Sequence, residues 1–253
     1  MKKYTYGTRI LHTNYINNKL LPYQLEKERK PFKPEVEPTL LKYNDYFWKK
    51  IFPYKKGINY SDYMLSNIGS YSIFYPLDSD KIAKIIRGFI PPNENATITD
   101  ATANMGGATL AFSNYFNHVN AVEIIPFHCK ILTNNIKVYG AENKVKVYCD
   151  DYLDIGNTLE QDVVFFDPPW GGPDYKNLEL MDMYLDNIMI GDIIKSLIDK
   201  KKTKIIAIRV PFNYDFKKLL ELTEKSYVYS FKKPNGKLNF FLIILININI
   251  YLY

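Results

Sequence analysis

Short apolar runs alternate with segments of helical periodicity through the middle of the chain, and this alternation limits the fold more than any other feature. Apolar runs typical of strands lie at 96–101, 119–124, 144–150, 162–167 and 204–210, and helical patterns separate them at 107–117, 126–139 and 189–199. Strands connected by helices run parallel, because each helix carries the chain back to the edge where it started. Two last apolar runs flank Asn235-Gly236, a dipeptide that favours a hairpin. The sequence therefore predicts an α/β fold whose mostly parallel sheet ends in an antiparallel hairpin.

The first part of the chain lacks this alternation. Residues 1–38 are basic and polar and contain four prolines, a composition that favours an arm with little regular structure. Apolar residues at helical spacing over 39–51 and 61–67 predict short helices, and Asp78 is expected to cap a helix that ends before Pro91. We therefore predict a basic arm at 1–38, a small N-terminal helical extension at 39–77 and the α/β domain at 78–253.

Composition excludes several other classes of protein. The 253 residues carry a net charge of +6 that is spread along the chain, which suits a phosphate-bearing partner without specifying one. Cys129 and Cys149 form no C-x-x-C pair and the three histidines do not cluster with acids, so neither a disulfide scaffold nor a metal site is expected. The first residues contain no apolar core typical of a signal peptide, and the apolar run at 238–253 falls short of the ~20 residues of a membrane span. That run is expected to form a buried strand. The protein is expected to be intracellular, in the cytoplasm or the nucleus, and not secreted.

A turn that follows the first predicted strand has the composition of a ligand-binding loop. The strand ends at Asp100, and Gly106 and Gly107 precede a helix, so the backbone can approach a ligand closely beneath the helix N-terminus. The strict dinucleotide-binding fingerprint is missing, because Asn104 stands where its first glycine would be. This turn alone fits a plain strand-to-helix connection equally well.

Acidic residues at the ends of the next two strands strengthen the binding interpretation. Glu123 lies about twenty residues after the turn, where a carboxylate can accept hydrogen bonds from ribose hydroxyls. Asp151 follows the third strand, where a carboxylate can accept from an adenine amino group. Each acid by itself fits a helix cap, but the carboxyl ends of parallel strands meet at one edge, so together with Asp100 they predict an adenosine site. The phosphate-binding motif G-x-x-x-x-G-K-[ST] is absent from the sequence, which disfavours a nucleotide hydrolase.

The fourth predicted strand runs into Asp167-Pro168-Pro169-Trp170. Prolines have no amide donor, so the Asp167 carboxylate and the Pro168 carbonyl are left as acceptors that can hold an exocyclic amino group of a base. Two such hydrogen bonds would orient the nitrogen lone pair toward an electrophilic methyl group, and Trp170 would offer a face for stacking. The alternative is a proline-rich loop in which the tryptophan fills a gap. The Asp-Pro-Pro-aromatic spacing resembles the signature of methyltransferases that modify exocyclic nitrogens of bases with S-adenosylmethionine.

Residues 167–175, Asp-Pro-Pro-Trp-Gly-Gly-Pro-Asp-Tyr, closely resemble the signature of the trimethylguanosine synthase family, and the resemblance extends over about 42–241. It implies a Rossmann-like methyltransferase fold with S-adenosylmethionine as the cofactor. It also implies that the chain methylates N2 of the 7-methylguanosine cap of RNA, so capped RNA is the expected partner. We expect a monomer that needs no metal.

The resemblance assigns roles to individual residues. The catalytic residues would be Asp167, Pro168 and Trp170. The residues that hold the cofactor would be Phe74, Asp100, Thr102, Gly106, Gly107, Glu123, Asp151 and Asp167. The residues that bind the RNA cap would be Lys55, Lys56, Trp170, Pro173, Tyr175 and Asn213. Two positions depart from the family: Asp167 replaces its usual serine, and Asn59 replaces a lysine that contacts the triphosphate, so that Lys55 and Lys56 are the candidates to substitute for it.

Two other functions stay open at this point. An adenine-N6 methyltransferase would use the Asp-Pro-Pro acceptors equally well, and the aspartate is typical of such enzymes, whereas the Trp-Gly-Gly-Pro run that follows favours the cap. An inactive module that binds the cap or RNA would keep the stacking Trp170 without binding S-adenosylmethionine. The three acids of the predicted adenosine site argue against an inactive module.

Overall fold

A seven-stranded sheet forms the centre of the described part of the chain. The computed structural model describes residues 36–171 and 173–247, so residues 1–35 of the predicted arm lie outside the described residues. The strands are β1 (Thr97–Asp100), β2 (His118–Val122), β3 (Val145–Tyr148), β4 (Val163–Phe166), β5 (Tyr184–Leu185), β6 (Ile188–Met189), β7 (Ile205–Pro211), β8 (Lys225–Lys232) and β9 (Leu238–Ile246). Strands β5 and β6 form a separate two-stranded sheet, and the other seven form the central sheet. The helices are α1 (Asp45–Ile51), α2 (Pro76–Arg87), α3 (Gly107–Phe112), α4 (Pro126–Tyr139), α5 (Tyr152–Ile155), α6 (Ile190–Asp199) and α7 (Lys217–Leu220).

The order of the strands in the sheet is β3-β2-β1-β4-β7-β9-β8. The first five of these strands are parallel, and β9 runs antiparallel to both β7 and β8. Along β4, Val163 and Phe165 belong to one buried apolar cluster, and Val164 and Phe166 belong to a second. Because successive strand residues point to opposite faces, both faces of the sheet are covered. The structure confirms the predicted α/β fold with a mostly parallel sheet that ends in an antiparallel hairpin.

The C-terminal apolar run forms β9, the predicted buried strand, as far as Ile246, and residues 248–253 lie outside the described residues. Among the helices of the described ranges, none combines the length and the apolar character that crossing a lipid bilayer requires.

The predicted helix at 61–67 is wrong. This segment contains only a short 3-10 helix at Tyr60–Asp62. The backbone of Met64 bonds instead to the side chain of Asn135 on α4, which accepts from the Met64 amide at 2.8 Å and donates to its carbonyl at 3.0 Å. Backbone groups that are satisfied by a distant side chain have no need of a helical turn.

The predicted cap at Asp78 is also wrong. Helix α2 begins two residues earlier, at Pro76, and Tyr75 is the N-cap residue. Proline suits the first position of a helix, because its fixed φ is already helical and its missing amide donor would have no partner there. Asp78 lies in the first turn of the helix, where a carboxylate interacts favourably with the helix dipole.

The segment before α2 packs directly against the turn that follows β1. Asn135 donates to the carbonyl oxygens of Met64 and Met105, both at 3.0 Å, and so joins this segment, α4 and the turn. Phe74 is buried against Gly107, where an added Cβ would lie 2.7 Å from the Phe74 backbone nitrogen. The small residue at 107 therefore allows the two segments to approach. The division of the chain at residue 78 stays a prediction.

Cys129 on α4 and Cys149 after β3 form a disulfide, with their Cα atoms 5.7 Å apart. The cysteine pattern argued against a disulfide scaffold and did not indicate this single bond. Helix α4 begins directly after β2, and β2 pairs with β3, so the first turn of the helix and the end of β3 meet at one edge of the sheet. The sequence spacing of the two cysteines does not show this proximity.

The close contact at Gly107 is expected to be sensitive to a single methyl group. Gly107→Ala should lower the free energy of unfolding by about 1–3 kcal/mol, because the Phe74 backbone must move to admit the new Cβ. Gly191→Ala on α6 is the matched control: its Cβ would meet Leu219 at 3.7 Å, an ordinary contact, and the loss of unfolded-state entropy should leave stability unchanged or higher. Urea unfolding of both variants measures the difference. Equal stabilities would contradict the close packing at Gly107.

Candidate active site

The turn after β1 and the loop after β4 lie side by side at the carboxyl edge of the sheet. The amide of Ala101 donates to the Phe165 carbonyl at 2.9 Å, and the amide of Asp167 donates to the Thr102 hydroxyl at 2.9 Å. Because β1 and β4 are neighbouring strands, the first bond continues the backbone pairing of the sheet, and the second joins the turn to the loop through a side chain. The structure thereby brings together Asp100, Thr102 and Asp167.

Asp100 is a carboxylate almost completely removed from water, with 1% of its surface exposed. Its Oδ2 accepts from the Thr109 hydroxyl at 2.7 Å, whereas its buried Oδ1 has no hydrogen-bond partner among the described residues. Burial raises the pKa of Asp100 to about 7, against the opposing effects of the Thr109 hydroxyl and the Thr102 backbone. A ligand with a positively charged donor would satisfy the free oxygen and favour the ionised form.

The turn between β1 and α3 is shaped around Glu123. Gly106 has a left-handed φ of 100° and is the N-cap residue of α3, and Asn104 also has a positive φ, of 49°. The Asn104 amide donates to Glu123 Oε2 at 2.8 Å, and the Ile125 amide donates to Oε1 at 2.9 Å. A carboxylate has about four acceptor sites, so Glu123 can orient the turn and still accept from a ligand.

Asp151 caps helix α5. Its Oδ1 accepts from the Leu153 amide at 2.8 Å, which is the structural role that the sequence left as an alternative. The residue follows β3 at the same edge of the sheet as Glu123, since β2 and β3 are paired.

Asp167 forms an ion pair with Arg209 on β7. Arg209 Nη1 and Asp167 Oδ2 are 2.7 Å apart, and the two side chains are 16% and 15% exposed. Burial raises the pKa of Asp167, and the adjacent guanidinium opposes this shift. Sequence reasoning missed Arg209, although a charged residue inside the apolar run of β7 was a signal, because a buried charge needs a counter-ion.

Three aromatic rings surround the guanidinium of Arg209. Its central carbon lies 4.3 Å from the ring centres of Phe74 and Trp170 and 4.5 Å from that of Phe240. The Tyr175 ring packs edge-on against Trp170, with ring centres 5.2 Å apart. One wall of the site is thus aromatic and carries a fixed positive charge.

Asn213, which follows β7, holds the loop after Trp170 in place. This side chain donates to the carbonyl oxygens of Tyr175 and Leu178, both at 2.8 Å, and its buried Oδ1 has no partner among the described residues. Pro168 is buried within the same loop. Pro173 begins a 3-10 helix that ends at Asn177, and its side chain lies outside the described residues.

The structure does not bring Lys55 to this edge of the sheet. Lys55 Nζ donates to the Tyr139 carbonyl at 2.6 Å and lies 4.6 Å from the centre of the Tyr139 ring. Tyr139 is the last residue of α4, which begins beside Glu123 and returns the chain to the opposite edge. Lys56 is exposed next to it.

Comparisons with known proteins identify a family for the chain. Residues 95–247 match the family model described as RNA cap guanine-N2 methyltransferase. An uncharacterized protein of Acanthamoeba polyphaga mimivirus is 39% identical over 122 residues, which are 47% of either chain, so the alignment spans about half of that relative. The trimethylguanosine synthase of Schizosaccharomyces pombe is 29% identical over 177 residues, 64% of this chain and 71% of that protein.

A solved structure from Porphyromonas gingivalis that is assigned to the methyltransferases shares the fold. It has a TM-score of 0.53 at 16% identity and covers 74% of this chain and 44% of its own. The family match covers more than half of the chain and includes β1, the acids of the carboxyl edge and the loop after β4. The chain therefore belongs to the RNA cap guanine-N2 methyltransferase family.

Proposed function

We propose that the chain transfers a methyl group from S-adenosylmethionine to the exocyclic N2 amine of the 7-methylguanosine cap of RNA. The observation that carries this proposal is the placement of a largely buried acceptor, Asp167, three residues before the aromatic ring of Trp170 and beside the end of the neighbouring strand that carries Asp100. An acceptor beside a stacking plane is what a planar base with an amino group requires. Membership of the family supports the cap as the substrate.

The residues at the carboxyl edge fit S-adenosylmethionine. The free Oδ1 of Asp100 suits the ammonium group of the methionine part. The turn between β1 and α3 that contains Gly106 and Gly107, here called the glycine turn, allows that part to lie close to the backbone. Glu123 would accept from the ribose hydroxyls, and Asp151 from the adenine amino group. When bound, the cofactor supplies an electrophilic methyl group on its sulfonium.

Asp167 and Pro168 would position the nucleophile. Asp167 Oδ2 is held by Arg209, so Oδ1 and the Pro168 carbonyl are the acceptors for the two hydrogens of N2. Hydrogen bonds from both N–H groups of the amine to these acceptors would orient its lone pair toward the methyl group. The Asp167 carboxylate would accept the proton that N2 releases as it takes up the methyl group from the cofactor sulfonium.

Trp170 would hold the base. One face of its ring is in contact with the Arg209 guanidinium, so the guanine would stack on the other face. A base methylated at N7 carries a positive charge and gains roughly 0.5–2 kcal/mol from the indole beyond ordinary stacking. This increment favours a cap over GTP.

Adenine N6 is the second candidate substrate, because Asp167 would accept from an adenine amino group equally well. Methyl transfer from labelled S-adenosylmethionine to 7-methylguanosine triphosphate, GTP and an adenine oligonucleotide, run in parallel, separates the candidates. Incorporation mainly into the first supports the proposal. Incorporation mainly into the oligonucleotide would replace it with adenine-N6 methylation.

The pKa of Asp100, raised to about 7, predicts pH-dependent cofactor binding. The carboxyl group is neutral below this value and ionised above it, and a cationic ligand prefers the ionised form. The affinity for S-adenosylmethionine should therefore rise about tenfold between pH 5.5 and 7.0. Calorimetry at the two pH values measures this change, and Asp100→Asn should bind weakly with no such dependence. A wild-type affinity that is independent of pH would contradict the role of Asp100.

Replacement of Asp167 should affect turnover more than binding. Asp167→Ala removes an acceptor that aligns the amine, so kcat should fall about a hundredfold while KM for the cap changes little. Asp162→Asn is the matched control, because Asp162 lies at the other end of β4, paired with Lys204 at 3.0 Å. It should lower stability and leave kcat unchanged. An increase in KM alone for Asp167→Ala would make Asp167 a binding residue and overturn the alignment mechanism.

Replacement of Trp170 should reduce the preference for a methylated cap. The wild-type protein should bind 7-methylguanosine triphosphate about tenfold more tightly than GTP, and Trp170→Ala should lose most of this ratio. Trp170→Phe should keep part of it, because a smaller aromatic face remains. Fluorescence titration with both nucleotides gives the ratios. If Trp170→Ala keeps the wild-type ratio, the charge of the cap is recognised by other residues.

A further inference from the structure

We propose that Arg209 is a positioning residue that holds the Asp167 carboxylate in one orientation, with Oδ2 engaged and Oδ1 free for the substrate amine. This inference rests on the proposed transfer to an exocyclic amine. In this transfer Arg209 touches neither the amine nitrogen nor the methyl group, and it acts through Asp167.

The sheet itself sets the geometry of this pair. In β4 and β7, Phe166 and Ile208 are paired in register, so Asp167 and Arg209 are the next residues on parallel neighbouring strands. Their side chains therefore lie on the same face of the sheet, where they meet at 2.7 Å. Ile208 and Val210 on either side of Arg209 are fully buried, so the charge stands alone within an apolar strand.

The aromatic rings fix the guanidinium in place. Phe74 comes from the N-terminal segment, Trp170 from the loop after β4 and Phe240 from β9, and all three ring centres lie within 4.5 Å of the central carbon. Arg209 Nε is buried without a hydrogen-bond partner among the described residues. The position of the side chain is therefore set by one carboxylate and three rings.

The ionisation of Asp167 depends on the charges that face it. Asp100 ends β1, the strand next to β4, and the charge of Asp167 contributes to the raised pKa of Asp100. Arg209 faces it from β7 and lowers its pKa, and the same guanidinium lowers the pKa of Asp78 on α2 and of Tyr175, against the effect of burial at both. Without the guanidinium, the unfavourable effect of burial on the pKa of Asp167 would be unopposed. Asp167 would then be protonated at a higher pH and lose an acceptor.

The pH dependence of methyl transfer tests this role. For Arg209→Met, which keeps an apolar stem between the rings, kcat at pH 7 should fall at least about tenfold, and the acidic limb of the pH profile should move up by about one pH unit or more. Arg209→Lys keeps the charge and should leave the acidic limb close to that of the wild type. Lys204→Met is the matched control: it removes a cation from the other end of β7, where Lys204 pairs with Glu94 and Asp162 at 2.6 and 3.0 Å. It should not move the limb.

A double replacement separates positioning from any direct effect of Arg209. Asn at 167 needs no counter-ion, so adding Arg209→Met to Asp167→Asn should cost at most about twofold in kcat. The full wild-type cost in that background would show that Arg209 acts independently of Asp167 and would overturn the proposal. The proposal would also be overturned if the acidic limb of the pH profile were the same in Arg209→Met and the wild type. It would likewise be overturned if Arg209→Lys and Arg209→Met moved this limb equally.

A direct titration keeps the proposal testable if the chain methylates none of the bases offered. The carboxyl ¹³C shift of Asp167, assigned with Asp167→Asn, reports the pH at which this group titrates. Relative to the wild type, this pH should rise only slightly in Arg209→Lys and by about one pH unit or more in Arg209→Met. An unchanged titration in Arg209→Met would overturn the role of Arg209. Absence of methyl transfer together with the expected titration would refute the proposed function and retain the ion-pair effect.

Discussion

Burial of carboxylates at the carboxyl edge of the sheet is the constraint on which the rest of the site depends. Asp100 and Glu123 are 1% and 7% exposed, and the side chain of Asp167 is 15% exposed. Removing an ionised carboxylate from water costs several kcal/mol unless other groups replace the water. A hydroxyl on α3, one backbone amide of the turn between β1 and α3, one backbone amide directly before α4 and a guanidinium on β7 are these replacements. The left-handed turn and the charged residue within an apolar strand both follow from this requirement.

The segment before α2 belongs to the same arrangement. The Phe74 ring lies on the guanidinium of Arg209 and its backbone lies against Gly107, so one residue contacts both the cation and the glycine turn. Asn135 joins the segment to α4 and to the turn. The α/β sheet alone therefore does not complete the wall of the site. The described N-terminal residues shape the chemistry as well as the surface.

Local signals were sufficient to predict most of the fold. Buried parallel strands are continuous apolar runs, and helix α4 begins at a proline and is followed by Gly140 with a left-handed φ of 67°, both of which can be recognised from the sequence. Features that depend on partners distant in the chain could not be predicted. The backbone of Met64 bonds to Asn135 instead of forming a helix, and Cys129 meets Cys149 through the packing of α4. An arginine within the apolar run of β7 indicates a charge that needs a counter-ion, but only the register of β4 and β7 identifies Asp167 as that partner.

The position of β9 in the sheet has a consequence for the order in which the protein can be assembled during synthesis. β9 is inserted between β7 and β8, although it is the last of the described strands to leave the ribosome. Until it arrives, the edge of β7 has no antiparallel partner, and the ring of Phe240 that contacts Arg209 is absent. A nascent chain that ends before residue 238 can form the parallel strands and the glycine turn, but not the complete surroundings of the guanidinium. The site is therefore finished last, and only in a chain whose sheet is closed by β9.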